Sequence, residues 1–306
     1  MLPSSVLMIR PSYFGFNPET AESNSFQNDI PELPIETLRQ MVLEEFNHFV
    51  SLLEAWEIEV FLFDDIPLPH TPDAVFPNNW FSTHENGWLI TYPMKDTKRR
   101  TERRTDILQT LIFRHEYVLK RELEDLELAG KYLEGTGSIV LDRVNKVAYA
   151  ALSPRTHPEA LSAWAKLTGY EVISFTANGP ENSPIYHTNV MMSIADNFAL
   201  VGLESLSEAD QKKVVQSLEK HKKRILPLSM EQIYESFAGN MLALSNRSGE
   251  RLLVMSAAAK RSLSNEQLNV LRYELGLQIL AAPLSMIEAV GGGSARCMLA
   301  EIVVPQ

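Results

Sequence analysis

The sequence predicts an α/β fold of five repeated hairpin, helix and strand modules, and three observations carry that expectation. First, Asn79, Glu134, His187, Asn240 and Cys297 stand 55, 53, 53 and 57 residues apart, a near-constant period of the kind that marks repeat architectures. Second, the first four head stretches of two apolar runs around a polar turn: WFSTHENGWLITYPM, GSIVLDRVNKVAYAALS, TNVMMSIADNFALVGLES and MLALSNRSGERLLVMS. That is the pattern of a β-hairpin. Third, each hairpin is followed by a helical pattern and then by one more apolar strand. Modules set alike around an axis would bring the five side chains to one place, and an acid, a histidine and a thiol in one pit make an active site.

The helices are expected in TERRTDILQTLIF, HPEALSAWAKLTG, LSEADQKKVVQSLEKHKK and LSNEQLNVLRYELG, which carry Ser, Thr or Pro near the start and often Gly near the end. The returning strands are EYVLKRE, YEVISFTA, KRILPLS and LQILAAPL. A fifth module is split between the chain ends: CMLAEIVVP, from Cys297 to Pro305, and VLMIRPSYF supply its hairpin strands, IETLRQMVLEEFNHFVSLLEAW its helix and IEVFLFDD its last strand. Joining both ends in one module closes the ring and leaves fewer exposed strand edges. The alternative is an open α/β sheet with coincidental spacing.

With 45% hydrophobic and 22% charged residues, a chain of 306 can bury a large core, and its length alone allows two domains. The repeat argues for one domain over residues 1–306, with the terminal strands closing the ring. The long irregular stretch, Pro11 to Pro34, is of the kind that is functional or disordered, and a lid is one reading of it. The N-terminal apolar run is short and broken by Arg10, which supports neither a signal peptide nor a membrane span, so a cytoplasmic protein is expected. A formal charge of −11 disfavours nucleic acid and anionic membrane as partners. The basic run from Lys95 to Arg104 reads as a mostly solvated helix start, with room for one arginine pointing inward.

A single cysteine excludes an intramolecular disulfide and a cysteine-based metal cluster. A buried free cysteine is commonly inert packing, but here three glycines precede it in GGGSARCMLAEI and Arg296 adjoins it, surroundings that favour the nucleophilic thiolate. Of the seven histidines, His70, His84, His115, His157 and His221 fall in loops or on helix faces, where solvated or structural roles are expected. His48 is expected to be partly buried in a helix. His187 alone falls on the repeat position, and no HExxH or paired-histidine spacing offers a zinc site. A cysteine with a distant histidine is the minimum for nucleophilic thiol chemistry. Read singly, Glu134 is a turn residue before a strand, Arg155 a surface arginine, Asp73 a residue shaping the turn after Pro72, and Asn240 a strand-entry residue contacting backbone. EGTGS is neither a P-loop nor a dinucleotide fingerprint.

Seven ordered motifs, PDAVFPNNWFSTH from Pro72, RRTE from Arg99, LEGTGSIVLD from Leu133, LSPRT from Leu152, YHTNVMM from Tyr186, AGNMLAL from Ala238 and GGGSARCM from Gly291, resemble those of the guanidine-modifying superfamily. That superfamily includes arginine deiminases, dimethylarginine hydrolases and amidinotransferases; the chain looks most like its citrulline utilization hydrolases, related to the arginine dihydrolases. The resemblance spans nearly the whole chain and implies a five-bladed α/β propeller, or pentein. It implies that Cys297 attacks the planar carbon of a guanidino or ureido group, that His187 protonates the leaving amine and then activates water, and that Glu134 grips the substrate's terminal nitrogens. Arg99 and Arg155 match positions that clamp the substrate α-carboxylate, and Asp73 one that faces the α-amine.

One departure bears on the substrate. Where the deiminases and dimethylarginine hydrolases keep carboxylate-bearing pairs, this chain has Asn78 and Asn79, and the deiminase HxD motif reads His187, Thr188, Asn189. Amides remove charge that would pair a guanidinium, and an asparagine NH2 can donate to a ureido oxygen. The resemblance, so modified, implies hydrolysis of citrulline through a covalent thioester without metal or organic cofactor. Substrate contacts are expected from Asn78, Asn79, Asn189 and Asn240. An arginine dihydrolase or deiminase, a dimethylarginine hydrolase, an amidinotransferase and a non-catalytic amino-acid-binding module are the alternatives, and a homo-oligomer is left open.

Overall fold

The apolar pairs foreseen around each polar turn form three-stranded sheets. The computed structural model describes residues 2–21, 23–30 and 32–305, and among these residues fifteen strands sort into five such sheets. The first contains β1 (Ser5–Arg10), β2 (Glu59–Asp64) and β15 (Ala300–Ile302). The second contains β3 (Phe81–Thr83), β4 (Trp88–Thr91) and β5 (Val118–Lys120). The third contains β6 (Val140–Asp142), β7 (Val147–Ala151) and β8 (Glu171–Phe175). The fourth contains β9 (Met192–Ile194), β10 (Phe198–Val201) and β11 (Arg224–Pro227). The fifth contains β12 (Leu242–Ser245), β13 (Arg251–Ser256) and β14 (Gln278–Ala282). In all five the middle strand pairs antiparallel with one neighbour and parallel with the other.

The parallel step requires a crossover, and a helix supplies it. Ile35–Ala55 buries Leu38, Val42, Phe46, Phe49, Val50 and Leu53, one face at helical spacing. His48 lies off that face and is exposed, correcting the expectation of partial burial. Thr105–His115 begins later than foreseen, because Asp96 instead caps a separate turn, Thr97–Arg100, by accepting the N–H groups of Lys98 and Arg99. Within that basic run Arg99 is buried, while Arg100 and Arg103 are half-buried, so the solvated reading holds only in part. Pro158–Thr168 is capped by His157 and stopped by Gly169 at φ +75°, and Glu208–Lys220 is capped by Ser207. In the fifth module a Ser264–Gln267 capping box starts Asn265–Asn269, which widens into a π-turn over Val270–Glu274.

The split module is present, since Ser5, Val6 and Leu7 pair with Ile302, Glu301 and Ala300. Its C-terminal strand is shorter than CMLAEIVVP, because Cys297 to Leu299 are occupied by the turn that enters it. Contacts run from β15 to β3, from Pro77–Asn79 to Gly135–Ser138, from β6 to β9 and from β9 to β12, while Ile35–Ala55 packs on β14 and on Ser285–Gly291. Among its described residues the Pro11 to Pro34 stretch contains a single helical turn, Pro18–Ala21; Glu22 and Pro31, and the chain ends Met1 and Gln306, lie outside the described residues. No helix among the described residues is long and apolar enough to cross a membrane.

The split sheet has a consequence that denaturation reads directly. Ile302 is buried whereas Val304 is 54% exposed. Ile302→Ala is expected to lower the urea-denaturation free energy by about 3 kcal/mol, and Val304→Ala by less than about 0.5 kcal/mol. Equal effects of the two substitutions would contradict the pairing of the chain ends.

Candidate active site

The five period-marking residues each sit just ahead of the first strand of a sheet: Asn79 before β3, Glu134 before β6, His187 before β9, Asn240 before β12 and Cys297 before β15. Glu134 and His187 precede single helical turns, Gly135–Ser138 and Thr188–Met191. The glycines of EGTGS answer to crowding there. A Cβ on Gly135, which holds φ +48°, would lie 2.4 Å from the Asn78 carbonyl oxygen, and one on Gly137 would lie 2.4 Å from Asn79 Nδ2 and 2.8 Å from His187 Nδ1. Only glycine lets the two entry turns pack so closely.

Glu134 is wholly buried, and its Oε2 accepts from His187 Nε2 at 2.8 Å while its Oε1 accepts the Lys95 backbone N–H at 3.0 Å. Arg155 Nη1 lies 3.6 Å from the same Oε2. Burial pushes the carboxyl pKa up, but the Arg155 charge, the His187 hydrogen bond and the Arg99 charge outweigh it, holding Glu134 ionised well below the usual range. Burial acts oppositely on His187, lowering its pKa to about 4 despite the attraction of Glu134. The imidazole is therefore neutral near pH 7. With Nε2 donating to the carboxylate, Nδ1 is left with a free lone pair.

The sulfur of Cys297 accepts two amide donors, Asn240 Nδ2 at 3.2 Å and Asn189 Nδ2 at 3.4 Å. The orientation of Asn240 is fixed by its other end, where Oδ1 accepts the backbone N–H groups of Arg296 and Cys297 at 3.0 and 3.3 Å. Backbone amides only donate, so the NH2 must face the sulfur. Asn79 is oriented in the same way: Arg99 Nη1 donates to Asn79 Oδ1 at 2.8 Å. Asn79 Nδ2 is consequently a buried donor without a protein partner.

Arg99 is held by Glu102, a residue sequence reasoning missed. Its Nε donates to both Glu102 oxygens at 3.0 and 3.2 Å, and Nη2 donates to Oε2 at 2.9 Å. Burial alone would lower the Arg99 pKa, but Glu102 and Asp73 more than offset this and keep it a fixed cation. Asp73 Oδ2 accepts from Asn17 at 2.8 Å and from Thr20 at 3.2 Å, leaving Oδ1 unpartnered. Arg155 donates from Nη2 to the Thr20 carbonyl and to Ser23 Oγ, and lies 4.9 Å over the Tyr186 ring. It is buried, not the surface arginine its motif suggests in isolation.

Asp73, Asn79, Arg99, Arg155, His187 and Cys297 line one cavity together with Thr20, Asn24 and Tyr186. Its volume is about 10 Å³, room for a single water molecule. Glu134, Asn78, Asn189 and Asn240 do not line it. Glu134 stands behind His187, Asn78 is turned to Thr136 at 3.3 Å, and Asn189 and Asn240 back the sulfur. Of Glu134 and the four asparagines expected to meet a ligand, only Asn79 lines the cavity, while Asn78 Oδ1 and Asn189 Oδ1 are buried without a protein partner. Arg296 likewise turns from the thiol to Glu301 at 2.6 Å. The RRTE motif, with Glu102 one helical turn after Arg99, was the available signal for that pair. Thr20 and Ser23, on an irregular stretch, left none.

A family model described as N,N dimethylarginine dimethylhydrolase, eukaryotic, matches residues 10–304. No curated protein matches by sequence. Among solved structures, the N-terminal domain of ArgZ, an arginine dihydrolase from the ornithine-ammonia cycle in cyanobacteria, in a mutant bound to substrate, is similar with a TM-score of 0.74 at 16% identity over 98% of both chains. A mutant of AgrE in a binary complex with L-arginine gives 0.74 at 17% identity over 98% of this chain and 40% of that one, so this chain spans about two fifths of that protein. DDAH from Pseudomonas aeruginosa, as a mutant complexed with citrulline, gives 0.66 at 17% identity over 99% and 100%. At these identities the structural likeness is one of fold. The family model carries the conclusion: the chain belongs to the N,N-dimethylarginine dimethylhydrolase family of the guanidine-modifying superfamily, hydrolases acting on carbon–nitrogen bonds of guanidino compounds.

Proposed function

We propose that the protein hydrolyses the ureido group of citrulline to ornithine, carbon dioxide and ammonia, and the orientation of Asn79 carries the proposal. Arg99 has only donors, so Asn79 must accept from it, which leaves the NH2 of this cavity-lining residue a buried donor without a protein partner. A donor there complements the carbonyl oxygen of a urea and opposes the N–H groups of a guanidinium. Asp73 Oδ1, an unpartnered acceptor, suits the α-ammonium group. Arg155 and the remaining Nη1 hydrogen of Arg99 suit the α-carboxylate.

In this mechanism the Cys297 thiol gives its proton to His187, and the thiolate, held by the NH2 groups of Asn240 and Asn189, attacks the ureido carbon. The tetrahedral adduct collapses as the imidazolium protonates the departing δ-nitrogen, releasing ornithine and leaving a carbamoyl thioester. Neutral His187 then takes a proton from water as it attacks the thioester, and returns it to the sulfur. Carbamate is released and decomposes to carbon dioxide and ammonia. Glu134 positions His187 and stabilises its cationic form; the tautomer logic is that of a nucleophile, base and orienting acid.

We read the five sheets as a closed propeller over residues 1–306, forming one catalytic domain, supported by the contacts of Ile35–Ala55 with the fifth sheet. A cytoplasmic site of action suits a nucleophilic free thiol, which reducing conditions preserve. A second reading, an arginine dihydrolase that takes arginine through citrulline, is favoured by the ionised carboxylate of Glu134 behind the cavity.

Incubation with citrulline is expected to yield ornithine and ammonia, with Cys297→Ala abolishing turnover; citrulline accumulating from arginine, with none consumed, would overturn the proposal. Asn79→Asp exchanges the donor for an acceptor and is expected to lower kcat/KM for citrulline about a hundredfold, ~2.7 kcal/mol, without a parallel loss for arginine. A uniform loss for both would remove Asn79 as the discriminating group. The pH dependence of stability tests His187: its folded pKa of about 4 lies below the ordinary 6.5, so the unfolded chain takes up the proton first as pH falls. The stability from this group is complete above about pH 6.5 and lost toward pH 4, a difference of ~3 kcal/mol. Urea titrations of His187→Asn should lack that component, and an unchanged profile would refute the buried neutral imidazole.

A further inference from the structure

We propose that a second cavity, between the hairpin turns of the second and third sheets, binds a small oxyanion. It has a volume of about 220 Å³ and is walled by Trp88 and Tyr170, with Arg143 and Lys146 on one side and His84 and Glu85 on the other hairpin. His84 follows β3 and Arg143 follows β6, so the cavity lies at the opposite ends of those strands from Asn79 and Glu134.

The buried charge beside this cavity is unbalanced. Arg143 and Arg296 share one carboxylate: Arg143 Nε is 3.2 Å from Glu301 Oε1 and Arg296 Nη2 is 2.6 Å from Oε2. All three side chains are nine-tenths buried or more, at 8%, 9% and 10% exposure. Two permanent cations against one anion leave a net positive charge away from water, a costly state without a counter-charge. Arg143 Nη1 donates to the Thr83 carbonyl, and Nη2 is buried with no partner. His84 adds no charge, since burial and the neighbouring Arg143 hold its pKa at about 3. Its Nε2 is engaged with Ser82 Oγ at 2.8 Å.

An oxyanion entering the cavity would supply the missing negative charge beside the Arg143 guanidinium, with the exposed Lys146 ammonium at the rim. Glu85, also exposed, is the one carboxylate among the lining residues and opposes it. Phosphate and small carboxylates share this chemistry. The ligand's charge, not its carbon skeleton, is what the cavity reads.

Isothermal titration of the full chain with inorganic phosphate and, separately, with succinate distinguishes the two sources. At least one is expected to bind at one site per chain and to bind Cys297→Ala equally well. Lys146→Glu should weaken that binding about tenfold and Glu85→Gln should tighten it. Both act on exposed side chains and leave the core intact, and Arg143→Gln should abolish binding in a chain that still melts cooperatively. Absence of binding by either anion, or equal binding by Lys146→Glu, Glu85→Gln and the wild type, overturns the proposal.

Discussion

The site is organised around a carboxylate that has no access to water. Glu134 keeps its charge at full burial only because Arg155, the imidazole of His187 and the Lys95 backbone N–H converge on its two oxygens. Each of those partners comes from a different part of the chain, so compensating this one charge fixes the relation of the second, third and fourth modules at their entry turns. The tight packing of Gly135 and Gly137 follows from it, since a larger residue at either would hold the turns apart. Arg155 extends the constraint outward, gripping Thr20 and Ser23 and thereby bringing the irregular N-terminal stretch over the cavity.

A second layer of order comes from groups that can only donate. Arg99 and the backbone amides of Arg296 and Cys297 leave Asn79 and Asn240 no freedom of amide orientation. The NH2 of Asn240 then faces the sulfur, and that of Asn79 is left a buried donor without a protein partner. Glu134 pairs with Arg155 and both Glu102 oxygens accept from Arg99, which leaves Asp73 as the site carboxylate with an oxygen to offer. A zwitterionic amino acid with an uncharged head group matches that distribution, and an additional fixed cation at the head group would face an amide donor rather than an anion.

The period of five residues was legible because each marks the entry to an apolar hairpin, and hairpins announce themselves through alternation and turn residues at HENG, RVNK and NRSG. The split module was legible for the same reason, from two apolar strands lacking a hairpin partner at either end. The roles of individual polar residues were less so. Sequence position cannot tell whether Asn240 faces a ligand or the sulfur, because that turns on which backbone amides its oxygen meets. Nor could composition foresee that Arg99 is occupied by Glu102, a contact set by the short turn that Asp96 caps ahead of the longer helix. Residues Thr20 and Ser23 were invisible for a further reason: their stretch has no periodicity, and their contacts are made through a backbone carbonyl and a hydroxyl.

The closed cavity bears on how tightly the proposed substrate binds. An amino acid does not fit in 10 Å³, so binding requires an arrangement of the lining residues more open than this one. In the closed one, the Thr20 carbonyl and the Ser23 hydroxyl occupy the same Arg155 donors that a carboxylate would take, and Asn17 and Thr20 occupy Asp73 Oδ2. The substrate must exchange these contacts rather than add to them, and its observed affinity is reduced by the fraction of molecules that are open. The compensation lies in the empty state: Arg155 and Asp73 Oδ2 keep protein partners when no ligand is present, which helps charges of this kind to stay buried in a folded protein that spends part of its time without substrate.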